Sequence, residues 1–597
     1  MYRYLLAFLL LASPLLAQDI LYRVDLSDTR SKKAKVTIEL KKSGAETVTY
    51  QMPLWAPGAY AQTGYGRFVE NFKAYGYGGG LKQVVRVNDN RWQIKGGKDI
   101  ARIEYEVRTS HKDSTSLYFA LAHIDSNFFF ANGTALFGYI NDKKNLPSDV
   151  IYNVPTGWTL HCALESKKSN QFHATDYDVL ADAPIMAGPN FNIRNFEYSG
   201  AKYEIVLASD KAFPMDSIED LTKKIVKAQV DFWGDTPFKN YSFLIFAPTF
   251  LKSPSMSNGA LEHANSSAYL MLNMPWKNIK EQYAHIISHE FFHSWNVKRI
   301  HSDKLGPFDY ANAVRTTSLW LSEGITDYYA HSLLSRYGIL SDEDFESTIV
   351  NWYVQTNMSK STNAASLEQL SKEESDFNLG KATTFYTKGP LIGFMLDLEI
   401  RNQTNGKYSL DDAMFELYKR AKKGKHFKDE ELIGLIEKST KSNLKNIYTK
   451  YIAGLDSLPL GEYAKYAGLE LFKKQQKPSG VDLGAVLLLL PDSSAYFVAA
   501  FTNDDLSNAG VILGDTIITW DGAALTPSRR DKFSKGKDAP VKVAIVLARP
   551  GQKKTINAIL TRPLTTKTVT TPIAAIEDAS PEQLTIRKGI YGKKEGW

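Results

Sequence analysis

The seven residues HEFFHSW, 289 to 295, constrain the fold more than any other stretch of the chain. Two histidines stand four apart, with Glu290 directly after the first. On a helix, positions i and i+4 project from one face. His289 and His293 can therefore offer imidazole nitrogens to one Zn²⁺. Glu290 lies about 100° further around the helix and can reach a metal-bound water as a general base without being a ligand. The preceding turns, IKEQYAHIIS, carry Ile279, Tyr283, Ile286 and Ile287 toward a core. The competing reading is a buried helix that happens to hold two histidines. If the site is real, the fold must bring a third ligand back to this helix.

Three further segments bear on that choice. In WLSEGITDYYA (320 to 330), Glu323 stands on the next strong helical pattern, with 29 residues between it and His293. Asp327 follows four residues later on the same face, where its carboxylate can accept a hydrogen bond from the far nitrogen of a ligand histidine and fix its tautomer. In SNGALEHANS (257 to 266), which follows the strand pattern YSFLIFAP, Glu262 can pair with the free α-amine of a peptide. In TTFYTKGPLIGFMLDLEIR (383 to 401), Tyr386 enters a helix and can donate its phenol proton to an oxyanion. Taken singly, these are an acidic helix start, an exposed loop glutamate and an aromatic before a packed helix.

At 597 residues the chain exceeds one hydrophobic core, and about three or four domains are expected. Residues 1–17, MYRYLLAFLLLASPLLA, read as a secretory signal peptide: Arg3 begins it, Leu5 to Leu11 form the apolar run and Ala17 the cleavage site. The mature chain, from Gln18, is expected in the periplasm or outside the cell, with no later segment apolar enough to span a bilayer. Residues 18–208 alternate as strands do and suggest an antiparallel sandwich or saddle-like sheet domain. Residues 209–472 open with a helix and a strand, then turn helical around 278–296, 312–336, 341–356, 383–402, 409–422 and 428–438. KKQQKPSG (473 to 480) reads as a polar linker, 478–562 as a small β module, and 563–597 as a loosely ordered tail. The single cysteine, Cys162, excludes an internal disulfide and reads as a buried small residue. The net charge of +7 is not gathered into a basic stripe, which argues against nucleic acid as a partner.

With these segments in order, the chain resembles the glycyl aminopeptidase family of zinc metallopeptidases, gluzincins that carry a C-terminal PDZ domain. The resemblance rests on WAPGAY (55 to 60), GALEH (259 to 263), HEFFHSWNVKRI (289 to 300), GPFDY (306 to 310), LWLSEGITDYY (319 to 329) and YTKG (386 to 389). It implies a multidomain α+β protein: an N-terminal antiparallel β domain, a thermolysin-like peptidase domain with a mostly helical C-terminal part, and a small PDZ module. It further implies one Zn²⁺ on His289, His293 and Glu323, with Glu290 as base and Tyr386 as oxyanion donor. Glu262, with Gly259 and Ala260, would bind the substrate's N-terminus. Ala260 stands where a second glycine is expected and His263 where relatives carry asparagine, so the first substrate pocket need not follow the family's. The expected activity is removal of a small N-terminal residue, Gly or Ala, by Glu-assisted attack of zinc-bound water. The alternatives are a zinc endopeptidase with the same metal set and a non-catalytic PDZ binding protein. Within the last module, LSNAGVILGDTIITWDG (506 to 522) resembles a PDZ core. LGAVLLLL (483 to 490) resembles its carboxylate-binding loop and strand, open to a chain end or an extended peptide, or filled.

Overall fold

The computed structural model describes residues 20–592 apart from 42–44, 60, 111–117, 249–258, 359–363, 374–383, 478–480, 491–494, 536–539, 550–551 and 562–566. Residues 1–17, read as a signal peptide, lie outside the described residues. The chain forms two compact units: Met1–Glu219, Thr236–Lys277 and Gly306–Val314 make one, and Asp220–Asp235, Asn278–Leu305 and Arg315–Trp597 the other.

The first unit is built on sheets. Its largest has seven strands in the order Glu165–Lys168, Gln171–Ala174, Ser148–Asn153, Ile20–Asp25, Lys33–Leu40, Ile100–Arg108 and Val69–Gly76. In Lys33–Leu40, Ala34, Val36, Ile38 and Leu40 are buried while the residues between them face outward, the period of two that makes a half-buried strand. One pairing departs from the antiparallel expectation: Ile20–Asp25 runs parallel to Ser148–Asn153, Ile20 opposite Ser148. The same unit holds a five-stranded sheet, ordered Asn192–Tyr198, Ala201–Ser209, Asn240–Ala247, Ser266–Leu270 and Gly259–Glu262. Its middle strand pairs in parallel on both sides and is buried from Tyr241 to Ala247, the near-continuous apolar run such strands require. The boundary expected at residue 208 thus falls inside a sheet, because Ala201–Ser209 belongs with the strand that follows it.

The second unit is mostly helical, with Thr326–Arg336, Asp342–Met358, Lys388–Gln403, Leu410–Ala421 and Leu432–Thr440 packed around buried apolar faces. The helical stretch expected from 312 begins only at Trp320, as a π-helical turn through Ile325. Strands Ala485–Leu489, Tyr496–Phe501, Thr516–Trp520, Val541–Arg549 and Gln552–Leu560 form a five-stranded sheet with its own core, including Val498, Leu506, Ile517, Trp520, Ile545 and Leu547.

The structure corrects two expectations at the C-terminus. Of the polar stretch read as a linker, residues 473–477 belong to strand Leu469–Lys477, and the tail read as loose supplies its antiparallel partner, Lys567–Ala575. Helix Pro581–Tyr591 follows, capped by Ser580, whose Oγ accepts from Gln583 N, and Gln583 reaches back to the Ser580 amide. The chain leaves for the β module and returns from it along one two-stranded ribbon. No described helix is long and apolar enough to cross a membrane.

Candidate metal centre

Helix Trp276–Phe292 owes its position to Ile279, Tyr283 and Ile287, all buried, with Ile286 half-buried. Gln229 pins it by donating to Ser288 O at 2.7 Å and Ser288 Oγ at 2.9 Å, and Ser288 Oγ passes a bond to Ala330 O. The helix ends at Phe292, yet His293 N still bonds His289 O, so the two histidines keep their i, i+4 relation.

Each imidazole is oriented through Nδ1. His293 Nδ1 lies 2.8 Å from Asn296 O, a backbone carbonyl that can only accept, so Nδ1 carries the proton. His289 Nδ1 faces Asp327 Oδ1 at 3.1 Å, and the same assignment follows. In the neutral rings Nε2 is then the lone-pair nitrogen, and the two Nε2 atoms face each other at 3.0 Å. Glu323 Oε2 stands 3.3 Å from one and 3.6 Å from the other. With each ring neutral and protonated on Nδ1, the three converging atoms are acceptors, and one cation can be shared among them. A tetrahedral zinc with ligands about 2.0–2.2 Å away requires donor atoms roughly 3.4 Å apart, which the triangle matches. His289, His293 and Glu323 are buried, and their three ligand atoms lie within 4.8 Å of one another. Burial disfavours charge on His289, but Asp327 and Glu323 outweigh it and hold its pKa well above the ordinary value. Burial likewise works against the Glu323 carboxylate, and the two histidines overcome it and keep its pKa low.

The other expected residues are located as follows. Glu290 is buried on the same helix as His289. Tyr386 is half-buried, its ring centroid 5.7 Å from that of His289. Glu262, Gly259 and Ala260 lie in the first unit, on edge strand Gly259–Glu262, where Glu262 pairs with Ser267. The strand's exit is fixed by Asp182, which bonds His263 Nδ1 at 3.1 Å and accepts from Ala264 N at 2.7 Å. Cys162 takes no part: burial pushes its thiol up to about 12.

Asn296 has a role that no spacing rule exposed. Besides orienting His293 through its carbonyl, it donates from Nδ2 to Leu321 O at 2.8 Å and Thr326 Oγ1 at 3.0 Å. It thereby ties the end of the histidine helix to the turn that carries Glu323. The signal was present as the asparagine of HEFFHSWN, but a backbone acceptor has no sequence signature.

A His-His-Glu triangle with a carboxylate beside the first histidine is a zinc peptidase centre, and this chain is a zinc metallopeptidase. More particularly, two of its segments match peptidase M61: residues 21–189 match the M61 N-terminal domain and residues 282–392 the M61 glycyl aminopeptidase domain. Among solved structures, the chain is similar to an aminopeptidase N family protein from Idiomarina loihiensis, with a TM-score of 0.72 and 22% identity over 95% of this chain and 99% of that one. It is less similar to an M1 zinc metallopeptidase from Deinococcus radiodurans, at a TM-score of 0.46 and 13% identity over 74% of this chain and 95% of the other. A variant of that enzyme with a Tyr-Ser-Ala substrate gives a TM-score of 0.47 and 14% identity, with the same coverage. No curated protein matches the chain.

Proposed function

We propose that the protein is a zinc aminopeptidase that removes a small first residue, Gly or Ala, from peptides with a free N-terminus. The observation that carries the reading is the triangle of two Nε2 atoms and Glu323 Oε2, a donor set for one zinc ion. Bound there, zinc supplies a Lewis acid that polarises a carbonyl and acidifies water. Glu290 accepts the water proton on its carboxylate and returns it to the leaving amine. The Tyr386 hydroxyl donates to the oxyanion that develops at the scissile carbonyl. The Glu262 carboxylate accepts hydrogen bonds from the substrate ammonium and sets the register of cleavage, beside the backbone of Gly259 and Ala260. The match to a glycyl aminopeptidase domain supports the preference for a small first residue.

The test is release of glycine from Gly-Ala-Ala-Phe and from its N-acetylated twin, with and without a zinc chelator. Chelator-sensitive release from the free peptide alone is expected. Equal cleavage of both would make the enzyme an endopeptidase and remove the role given to Glu262.

For the C-terminal module we propose a PDZ-like fold that takes an extended peptide rather than a chain end. Asp482 supports this, because its Oδ1 already accepts from Gly484 N at 2.9 Å, the amide that would face a terminal carboxylate. Strand Ala485–Leu489 is the edge of its sheet and leaves main-chain groups for a partner strand. A peptide and its C-terminally amidated form should bind alike, and a preference for the free acid would reverse the reading. We further propose that residues 1–17 act as a signal sequence and that the mature enzyme works in the periplasm or outside the cell; N-terminal sequencing of the exported protein should begin at Gln18.

A further inference from the structure

Gly324 follows Glu323 in the π-helical turn, and Gly389 stands three residues after Tyr386 in the first turn of helix Lys388–Gln403. The two meet backbone to backbone. A Cβ built on Gly324 would lie 2.5 Å from Gly389 Cα and 2.7 Å from its carbonyl carbon, and one built on Gly389 would lie 2.7 Å from Gly324 Cα. Neither glycine has a positive φ, so a left-handed backbone is not what calls for glycine here. Closeness is. One turn further, a Cβ on Gly393 would meet Tyr328 Cβ at 2.9 Å and Ile325 Cδ1 at 3.1 Å. Gly389 and Gly393 share a helix face, and along that face the helix backbone rests on the segment bearing Glu323. Backbone cannot swing aside as a flexible side chain can. A methyl group at either glycine would part the two elements by about an ångström, a displacement on the order of that which costs 10²-fold in rate at a positioned site.

We propose that the Gly324–Gly389 contact is the spacer that sets Tyr386 against the metal centre. Both glycines are positioning residues: one is bonded to the third zinc ligand, the other is three residues from the phenol. The inference rests on the reading of Tyr386 as oxyanion donor.

The experiment uses the full-length zinc enzyme, with steady-state kinetics, zinc affinity by chelator competition, and thermal melts. Gly434→Ala is the control, the same change in helix Leu432–Thr440 at a glycine whose added Cβ would meet nothing within 4 Å. It should leave activity unchanged and cost no stability. Gly389→Ala should lower kcat about 10- to 100-fold, with KM and zinc affinity within about threefold of the parent. Gly324→Ala, next to Glu323, should weaken zinc binding about tenfold. That readout is independent of turnover and serves if Gly389→Ala does not fold. In a Tyr386→Phe background, Gly389→Ala should cost less than about threefold more, because the group it places is gone. A full further loss there, or a Gly389→Ala enzyme that behaves like Gly434→Ala, would overturn the spacer. A Tyr386→Phe enzyme with undiminished kcat would instead remove the role of Tyr386, and the spacer's purpose with it.

Discussion

His289 and His293 hold their tautomers by different means, and the difference can be measured. His289 leans on the carboxylate of Asp327, whereas His293 leans on a main-chain carbonyl that no substitution removes. Asp327→Asn should therefore weaken zinc binding about 10- to 100-fold, the usual cost of losing such a partner. Glu290→Gln should do the reverse: kcat falls about 10²- to 10⁴-fold as the general base is lost, while zinc is retained. Chelator competition beside kinetics on both variants checks the pair. Parallel loss of zinc from Glu290→Gln would make Glu290 a ligand, contrary to its assignment. The two histidines were legible because helical spacing places them on one face, and Asp327 because it stands four residues after Glu323 on another; Glu323 as third ligand was what the family resemblance implied. The supporting Asn296 carbonyl was not legible, since its action depends on where the chain turns after Phe292 and not on residue type.

Between elements, side chains distant in sequence override local preference. The helix expected from 312 is delayed because Asp429 captures the segment before it, accepting from Thr316 Oγ1 at 2.6 Å, Thr317 N at 2.9 Å and Ser318 Oγ at 3.1 Å. Backbone and hydroxyl donors held this way are withdrawn from helix formation, and nothing in 312–318 announces it. The same region carries a stacked pair, His301 and His426, with ring centroids 3.9 Å apart at 17°. Burial depresses His301 to about 4, with His426 and Lys298 acting in the same direction, against a hydrogen bond to Ser302 O. Burial lowers His426 too, against Asp303 and a bond to the backbone of Arg299. As pH falls below the ordinary histidine value of about 6.5, the unfolded chain takes up these protons first. The stability contributed by the neutral pair is thus complete above about 6.5 and drains away as pH falls toward 4. Urea midpoints measured across that window should drop less steeply for His301→Gln than for the parent. Identical slopes would mean that His301 titrates as it does in the unfolded chain.

At the scale of the whole molecule, the segment that reads as a tail is part of the helical unit. Polar composition hid it, because a strand such as Leu469–Lys477 gains its order from a partner on the far side of the β module, Leu469 opposite Ala575 and Lys477 opposite Lys567. The closing helix then fastens to what came before. Arg587 donates to the carbonyls of Ala467 and Gly468, and Gln583 to Lys465 O. Ile586 and Ile590 are buried. Gly589 faces the guanidinium of Arg401, which a Cβ would strike. That guanidinium has little freedom to retreat: Arg401 is buried and bonds Asp397 Oδ1 at 3.1 Å, and Asp397 also accepts from Tyr328 OH and Leu410 N. Gly589→Ala therefore sets two effects of opposite sign against each other. Helix propensity alone favours alanine over glycine by about 1 kcal/mol, whereas overpacking a filled contact costs about 1–3 kcal/mol. With the helix docked the clash wins, and thermal melting of the full chain should show a lower midpoint for Gly589→Ala than for the parent. A raised midpoint would show the helix forming free of Arg401, as a tail loosely joined to the enzyme would.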